Sequence, residues 1–491
     1  MGRPTEMAPP TEKGASLHAD VSATLQPGFS GTTVPGWLAT AHAEGLVSVC
    51  LYGANVSGSA GLVPACRELL ERLPGVLLAV DEEGGDVTRL HYPAGSPSVG
   101  NAVLGRIDAL GTTAAAAAQI GAELAALGIG LNLAPVVDVN SSPENPVIGV
   151  RSFGPTATLV NRHSAAWVRG LQEIGVAACA KHFPGHGDTS VDSHHGLPRI
   201  TVSRAVLHQR ELAPFRAAVD AGVACVMTSH IVVDALDPDR PATFSPTVLG
   251  VLRGDLGFSG VIVSDALDMA GASAVTGMPE AAVLALLAGV DLLCLGSQTE
   301  PEEYAAVHAA VLGAVASGRL PAERVSEAAD RVRALAARST DHLGSRSNVA
   351  AHEGTLTDEQ VAATFTTSHR FTRWRQDPAP SAVVQVESGS NLAVGAVGWG
   401  PRSVGVGLEA LSVPPGAKVA VAARSLSPDH PAHQVLADLR GRGHHAVLIE
   451  CGWPRGGADV ETYGGSPAVA RALVALLGVE RTDRVTGVVS P

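Results

Sequence analysis

The chain has few lysines, few aromatic residues and no excess of positive charge. Lysine occurs only at positions 13, 181 and 418 of the 491 residues, and aromatic residues make up 3%. The net charge of -13 excludes the basic surface that nucleic acids or anionic membranes need, so we expect neither as a partner. Hydrophobic residues at 46% supply enough material for a large core and for two domains.

Cysteine pairs and long apolar segments are also lacking. The six cysteines include no CxxC pair, and four of them (Cys50, Cys179, Cys225 and Cys294) lie in apolar runs, where a free thiol packs as a small hydrophobic group. The first twenty residues contain no apolar signal segment, and no run of about 18 apolar residues follows. We therefore expect a cytoplasmic protein.

Short apolar runs alternate with helical patterns over about 300 residues. This alternation predicts an α/β fold, a TIM-type (β/α)8 barrel, and a doubly wound open sheet is the alternative. The predicted strands are Leu25–Phe29, Leu46–Tyr52, Val76–Val80, Ile129–Leu133, Val176–Ala180, Val223–Met227, Val261–Val263 and Val290–Leu295. Predicted helices include Ala114–Leu127, Asn161–Glu173, Arg204–Ala221 and Ala281–Ala288.

Changes in composition divide the chain into four parts. We expect a disordered or loosely draped N-terminus at 1–20, the barrel at 21–340, a linker with one helix at 341–380, and a smaller α/β domain at 381–491. Strands in the last part are predicted at Val383–Val386, Val419–Ala423 and Ala446–Ile449, and helices at Ala432–Arg442 and Ala468–Leu477.

Polar residues follow five of the predicted barrel strands, where barrels carry their active sites. They are Asp81–Gly85, Asp138, Lys181-His182, Ser229-His230 and Ser264-Asp265. A turn or a helix cap explains any one of them, but the same placement after five strands favours a common site.

The stretch from Lys181 to Pro198 is the richest in reactive side chains. Lys181 suits hydrogen bonding to ligand hydroxyls, and a structural ion pair is the alternative. Asp192 and His194 share one face of an extended backbone, so the carboxylate can orient an imidazole that exchanges protons near neutral pH. Asp265 can serve as a nucleophile, a base or a metal ligand.

These motifs resemble those of family 3 glycoside hydrolases, and within them the β-N-acetylglucosaminidases. The motifs are Asp81–Arg89 (DEEGGDVTR), Pro146–Gly154 (PVIGVRSFG), Lys181–Asp188 (KHFPGHGD) with Asp192–His194 (DSH), and Ser264-Asp265. They span most of residues 25–340. The last 110 residues resemble, more loosely, a shortened form of the α/β sandwich that some members carry.

The resemblance implies a retaining β-N-acetylhexosaminidase that removes a terminal β-linked N-acetylglucosamine. It makes Asp265 the nucleophile that forms the glycosyl-enzyme, His194 the acid/base, and Asp192 the residue that holds His194. The residues implied to bind sugar hydroxyls are Asp81, Arg89, Arg151, Lys181 and His182. The implied substrate is a muropeptide or disaccharide from peptidoglycan, with no metal and no organic cofactor, and the oligomeric state stays open.

Two residues depart from the family pattern. Ala266 follows the nucleophile where a second aspartate is common, which leaves the hydrogen bonding around Asp265 open. His195 adds an imidazole beside His194, and we expect it to be a surface residue.

Three alternatives stay open. A neutral imidazole does not repel an anion, so the same site is compatible with a phosphorylase that uses phosphate in place of water. A metal-dependent barrel hydrolase is the second, with His182, His186, Asp188, Asp192 and His194 as candidate ligands. Against it, the first strand ends without an HxH pair. The third is a sugar-binding protein without catalysis.

Overall fold

The computed structural model describes residues 12–189, 197–274, 276–345, 356–389 and 393–479. The part up to residue 345 contains a ring of strands surrounded by helices. Its strands are β1 (Leu25–Gln26), β2 (Ser48–Leu51), β3 (Leu77–Val80), β4 (Ile129–Asn132), β5 (Ala177–Phe183), β6 (Arg199–Ile200), β7 (Cys225–Thr228), β8 (Val232–Val233), β9 (Asp237–Pro241), β10 (Val261–Val263) and β11 (Leu293–Cys294).

Eight of these strands close into a barrel. β10, β7, β5, β4, β3 and β2 form a parallel sheet in that order, and β11 pairs with β1 in parallel. A parallel bridge between Val263 of β10 and Leu292, the residue before β11, joins these two strands. The Cys50 N–H of β2 donates to the carbonyl of Pro27, the residue after β1, at 3.0 Å and joins the other two. All eight predicted strands are present. The prediction of a (β/α)8 barrel is confirmed, and the doubly wound alternative is wrong.

Helices cover the outside of this barrel. They are α1 (Glu12–Ala23), α2 (Gly36–Ala43), α3 (Val63–Arg72), α4 (Asn101–Ile107), α5 (Leu110–Ala126), α6 (Ala157–Glu173), α7 (Arg204–Val206), α8 (Leu212–Asp220), α9 (Pro246–Gly250), α10 (Ala270–Ser273), α11 (Met278–Ala288), α12 (Pro301–Ala316) and α13 (Ala322–Ser345). Within the described ranges, no helix has both the length and the apolar character needed to cross a membrane.

The barrel strands are mostly apolar because both of their faces are buried. On β3, Leu77 and Ala79 belong to the interior cluster, whereas Leu78 and Val80 pack against the surrounding helices. α13 contributes Val332 to the interior cluster. All six cysteines lie in described parts of the chain, and each is a buried free thiol.

A second sheet follows the barrel. Its strands are β12 (Thr366–Thr367), β13 (Ser381–Gln385), β14 (Lys418–Ala423), β15 (Ala446–Glu450) and β16 (Val460–Glu461), in the order β12-β16-β15-β14-β13. β12 is antiparallel to β16, and the other pairs are parallel. Its helices are α14 (Asp358–Ala362), α15 (His369–Gln376), α16 (Pro431–Gly441) and α17 (Pro467–Leu477).

Two predicted irregular segments carry regular structure. Residues 12–20 belong to α1, which packs against α12 and α13 through its apolar side chains and an ion pair of 2.7 Å between Asp20 and Arg333. The segment 341–380, predicted as a linker with one helix, contains two helices and a strand, α14, α15 and β12. Phe371 and Trp374 lie one helical turn apart and are buried where α15 packs against β15, which explains why a helix forms there.

One buried carboxylate ties the outer helices to the β10–β11 seam of the barrel. Asp291 accepts the Ile262 N–H at 2.9 Å. The same carboxylate pairs with the guanidinium groups of Arg253, Arg324 (2.8 Å) and Arg331 (3.1 Å). Because Asp291 is fully buried, its removal leaves partly buried cations without a partner.

We expect Asp291→Asn to lower the free energy of unfolding by about 3 kcal/mol, because it removes the charge that compensates three guanidinium groups. Thermal and urea unfolding measure the loss. The matched control is Asp330→Asn, whose side chain is 74% exposed and lies 3.8 Å from its arginine. That change is expected to cost less than about 0.5 kcal/mol. Equal losses in the two variants contradict the interpretation.

A π-helical turn at Leu207–Glu211 packs two charged residues under the loop that follows β5. Arg210 pairs with Asp188 of that loop at 2.7 Å and also with Glu211. Glu211 is 1% exposed, and its Oε2 lies 2.7 Å from where a β-carbon on Gly185 would stand. Burial raises the pKa of the Glu211 carboxyl to about 7, although Arg210 acts in the opposite direction.

This raised pKa predicts a pH dependence of stability. The unfolded carboxyl has a pKa near 4.3, so between about pH 4.5 and 7 the folded chain binds the extra proton, and stability falls as pH rises. Glu211→Gln removes this loss. We subtract the unfolding free energy of the unmodified protein from that of the variant. This difference is expected to increase by up to about 3 kcal/mol as the pH rises from 5 to 8.

Unfolding curves across this pH range test the effect. Glu68→Gln, at an exposed carboxylate paired with Arg72, is the control and is expected to show a constant difference from the unmodified protein. A constant difference for Glu211→Gln as well contradicts the assigned pKa.

Candidate active site

A cavity of about 630 Å³ lies at the carboxyl ends of the barrel strands. Six of the residues predicted from the sequence line it: Asp81, Arg89, Arg151, Lys181, His182 and Asp265. Asp192, His194 and His195 lie outside the described residues. The carboxyl ends of parallel strands meet at one edge, which explains why positions far apart in the chain converge here.

A buried carboxylate, Glu83, organises the cations of the cavity. It accepts two hydrogen bonds from the Arg151 guanidinium, from Nε at 2.9 Å and from Nη2 at 2.8 Å. The Lys181 ammonium lies 2.8 Å from Glu83 and donates to Asp81 at 2.6 Å. The side chains of Glu83, Lys181 and Arg151 are 3%, 3% and 6% exposed. All of these groups are therefore held at fixed positions in a nearly dry site.

These contacts fix the ionisation of the cluster. Burial alone raises the pKa of the Glu83 carboxyl, but Arg151 and Lys181 outweigh burial and hold that pKa well below its usual range. Burial lowers the pKa of the Lys181 ammonium, but Asp81 and Glu83 raise it overall. Glu83 is therefore an anion and Lys181 a cation throughout the neutral range, so Lys181 offers hydrogen bonds to hydroxyl oxygens.

The His182 ring is oriented by a second buried carboxylate. Asp138 accepts a hydrogen bond from His182 Nδ1 at 2.7 Å and from the His186 N–H at 2.7 Å. His182 Nε2 lies 3.4 Å from Arg151 Nη2, which only donates, so Nε2 acts as an acceptor. Burial, followed by the nearby His182, lowers the pKa of His186 to about 4. His186 is therefore neutral at pH 7.

Arg89 is held by a turn and by the second sheet. The Glu82 carboxylate accepts the Arg89 N–H at 2.8 Å and thereby fixes the backbone of the turn after β3. The Arg89 guanidinium donates from Nη2 to the Ala393 carbonyl at 2.7 Å. Ala393 follows β13 and lines the cavity, so the chain beyond the barrel forms part of the wall.

Asp265 follows β10 and lines the cavity. Its Oδ1 accepts the backbone N–H of Ala266 at 2.8 Å. Ala266, where relatives commonly have a second aspartate, therefore still provides a hydrogen bond to Asp265 through its backbone. His230 Nε2 lies 3.0 Å from the Ala266 carbonyl and is itself fully buried. The loop that carries Asp265 is therefore held by a contact with His230, which follows the neighbouring strand β7.

The candidate metal ligands that the structure describes have protein partners. His182 contacts Asp138, the His186 Nδ1 lies 2.7 Å from the Thr189 hydroxyl, and Asp188 pairs with Arg210. Within the described ranges, no group of three or more histidine, cysteine or acidic side chains is placed to hold a metal ion.

Four polar residues of the site have no role assigned from the sequence: Glu83 and Asp138 were noted only as strand-end residues, and Tyr52 and Asp268 were not singled out. Glu83 and Asp138 orient the cations and the histidine, while Tyr52 and Asp268 line the cavity. Glu83 lies in the first motif and Asp138 follows the fourth strand, so strand-end placement was the signal for both. Asp268 lies three residues after Asp265 and carries no separate signal.

Comparisons with known proteins identify the family of this chain. Residues 41–335 match the glycosyl hydrolase family 3 N-terminal domain. The chain is 36% identical over 314 residues to Beta-hexosaminidase A of Pseudoalteromonas piscicida, covering 58% of this chain and 52% of that protein. It is 38% identical over 290 residues to a Beta-hexosaminidase of Chromobacterium violaceum, covering 57% and 78%.

A solved structure is similar over nearly the whole chain. It is a glycoside hydrolase family 3 β-N-acetylglucosaminidase from Paenibacillus sp. FPU-7, with a TM-score of 0.79, 31% identity and coverage of 94% of this chain and 96% of that one. The family model covers more than half of the chain, and the strand-end motifs that match it surround one cavity. The chain therefore belongs to glycoside hydrolase family 3.

Proposed function

We propose that this protein is a retaining exo-β-N-acetylglucosaminidase that cleaves terminal N-acetylglucosamine from peptidoglycan fragments in the cytoplasm. The observation that carries the proposal is one cavity that is lined both by Asp265 and by the fixed cluster of Asp81, Glu83, Arg151 and Lys181. The names of the relatives support the choice of sugar. The buried free thiols are compatible with a reducing compartment.

In the proposed reaction, sugar hydroxyls bind to Lys181, Arg151, His182, Asp81 and Arg89, which need no reorganisation when the substrate enters. Asp265 attacks the anomeric carbon, the bond to the leaving oxygen breaks, and His194 gives its proton to that oxygen. Asp192 is assigned to orient His194. Water then attacks the glycosyl-enzyme, gives its proton to His194, and releases Asp265.

Release of 4-nitrophenol from its β-N-acetylglucosaminide, in phosphate-free buffer with EDTA, tests the assignment. We expect turnover by the unmodified protein and a loss of at least about 10³-fold in kcat for Asp265→Ala. Asp220→Ala, on α8, is the control. Activity that appears only with added zinc favours a metal-dependent hydrolase. Formation of N-acetylglucosamine 1-phosphate in phosphate buffer shows phosphorolysis instead of hydrolysis.

The acid/base role of His194 predicts a dependence on the leaving group. 4-Nitrophenol leaves with little protonation, whereas a sugar hydroxyl needs a full proton. We expect His194→Ala to lower kcat/KM by about 10²-fold or more on an N-acetylglucosamine disaccharide, and by much less on the 4-nitrophenyl substrate. Equal losses on both substrates contradict this role. His208→Ala, within the π-helical turn, is the matched histidine control.

The role of Glu83 predicts weaker substrate binding when its charge is removed. Glu83→Gln keeps the size of the side chain but removes the anion that accepts two hydrogen bonds from Arg151 and contacts Lys181. We expect KM to rise and kcat/KM to fall by about 10- to 100-fold. Glu123→Gln, at a carboxylate that contacts His91 outside the cavity, is expected to match the unmodified protein. An unchanged KM in Glu83→Gln contradicts the assignment.

A further inference from the structure

A second cavity lies beside the active-site cavity, between the barrel and the loops of the second sheet. Its volume is about 80 Å³, which is room for a group of a few heavy atoms. Val147 and Arg151 line both cavities. Asp265 lines only the larger one, so the smaller cavity adjoins the part of the site where Arg151 holds Glu83. The two cavities are therefore neighbours that share Val147 and Arg151 as a common wall.

The outer wall of this small cavity comes from the carboxyl ends of β14 and β15, the edge at which parallel α/β sheets bind ligands. The buried Glu450 carboxylate connects the loop after β14 to the loop after β15. It accepts the N–H groups of Ser425 at 2.9 Å, Leu426 at 2.8 Å and Gly452 at 2.7 Å. Ser425 has a φ of 59°, an unfavourable conformation for a residue with a side chain.

Arg424 is a buried cation at this edge. The residue is 7% exposed and lines the cavity, and its guanidinium carbon lies 4.7 Å from the centre of the Trp399 ring. The Arg424 Nε is buried and has no hydrogen-bond partner among the described residues. A buried guanidinium that lacks a hydrogen-bonded anion is costly, so this group is suited to complete its bonding with a ligand.

Further donors line the same cavity. The Arg455 guanidinium is 23% exposed, and it lies 3.7 Å from the exposed Glu144 carboxylate, which is longer than a hydrogen bond. Trp453 and Ser425 also line the cavity, and both residue types carry a neutral side-chain donor. These groups together match the acceptor oxygens of a carboxylate or a phosphate.

The negative groups that face Arg424 are Asp86 and Glu387. Asp86 lines the cavity, and its Oδ1 already accepts the Gly465 N–H at 2.9 Å. Glu387 is 61% exposed and pairs with Arg402 at 2.9 Å. Neither of these two described carboxylates is hydrogen-bonded to the Arg424 guanidinium. The guanidinium is therefore available to a bound oxyanion.

We propose that this cavity, the Arg424–Arg455 pocket, binds an oxyanion carried by the saccharide in the active site. The ligand class is an N-acetylglucosamine unit that bears a phosphate or a carboxylate on a hydroxyl. This proposal rests on the proposed function, because it requires a sugar bound in the active site. It adds that the loops of the second sheet recognise a charged group on that sugar.

Competitive inhibition measures the preference. The probes are N-acetylglucosamine, its 6-phosphate and its 3-O-carboxyethyl ether, against the neutral 4-nitrophenyl substrate. We expect at least one anionic sugar to bind about 10-fold or more tightly than N-acetylglucosamine to the unmodified protein. The advantage is expected to fall below about 3-fold in Arg424→Gln and Arg455→Gln. Arg442→Gln, at an exposed arginine that lines neither cavity, is expected to keep it.

Calorimetric titration with the same three sugars needs no turnover, so it separates this proposal from the proposed function. If the buried change Arg424→Gln unfolds the protein, Arg455→Gln serves in its place, because Arg455 is partly exposed. Its melting temperature shows whether it is folded. Equal affinities for neutral and anionic sugars overturn the proposal, as does an advantage that both variants retain. Inorganic phosphate that raises the melting temperature without any advantage of the anionic sugars also overturns it, in favour of a free-anion site.

Discussion

One buried carboxylate, Glu83, holds the two cations on which the geometry of the cavity depends. Removing three charged groups from water costs several kcal/mol for each group unless every one is paired and hydrogen-bonded. The two bonds from Arg151 and the contact with Lys181 meet this condition. Because each partner is needed, none of the side chains can turn away at low cost. The donors are therefore already in place when a hydroxyl-rich ligand arrives.

The barrel makes this cluster possible by bringing strand ends together, and the second sheet extends it. The Ala393 carbonyl holds the Arg89 guanidinium at 2.7 Å, so residues from beyond the barrel position a side chain inside the cavity. The loops after β14 and β15 line the smaller cavity together with Arg151. The second sheet is thus part of the site's wall and supplies the cations of the Arg424–Arg455 pocket.

Much of the barrel could be predicted from the sequence, because strands with two buried faces are apolar and polar residues follow them. The partners inside the site could not. Glu83 and Arg151 are 68 positions apart, and Arg89 and Val394 are 305 apart, so no local pattern marks these contacts. The elements of the segment 341–380, predicted to hold one helix, were only partly predicted for a related reason. α15 depends on burying Phe371 and Trp374 against the second sheet, which composition does not reveal.

The identity of the nucleophile is the central claim, and labelling of the intermediate tests it most directly. A 5-fluorinated N-acetylglucosaminyl fluoride has a good leaving group, and its fluorine slows the oxocarbenium-like second step, so the glycosyl-enzyme accumulates. Peptide mass mapping then locates the sugar. The account predicts one sugar per chain, attached to Asp265. A sugar on another carboxylate of the cavity, such as Asp268, or turnover with no covalent adduct, contradicts it.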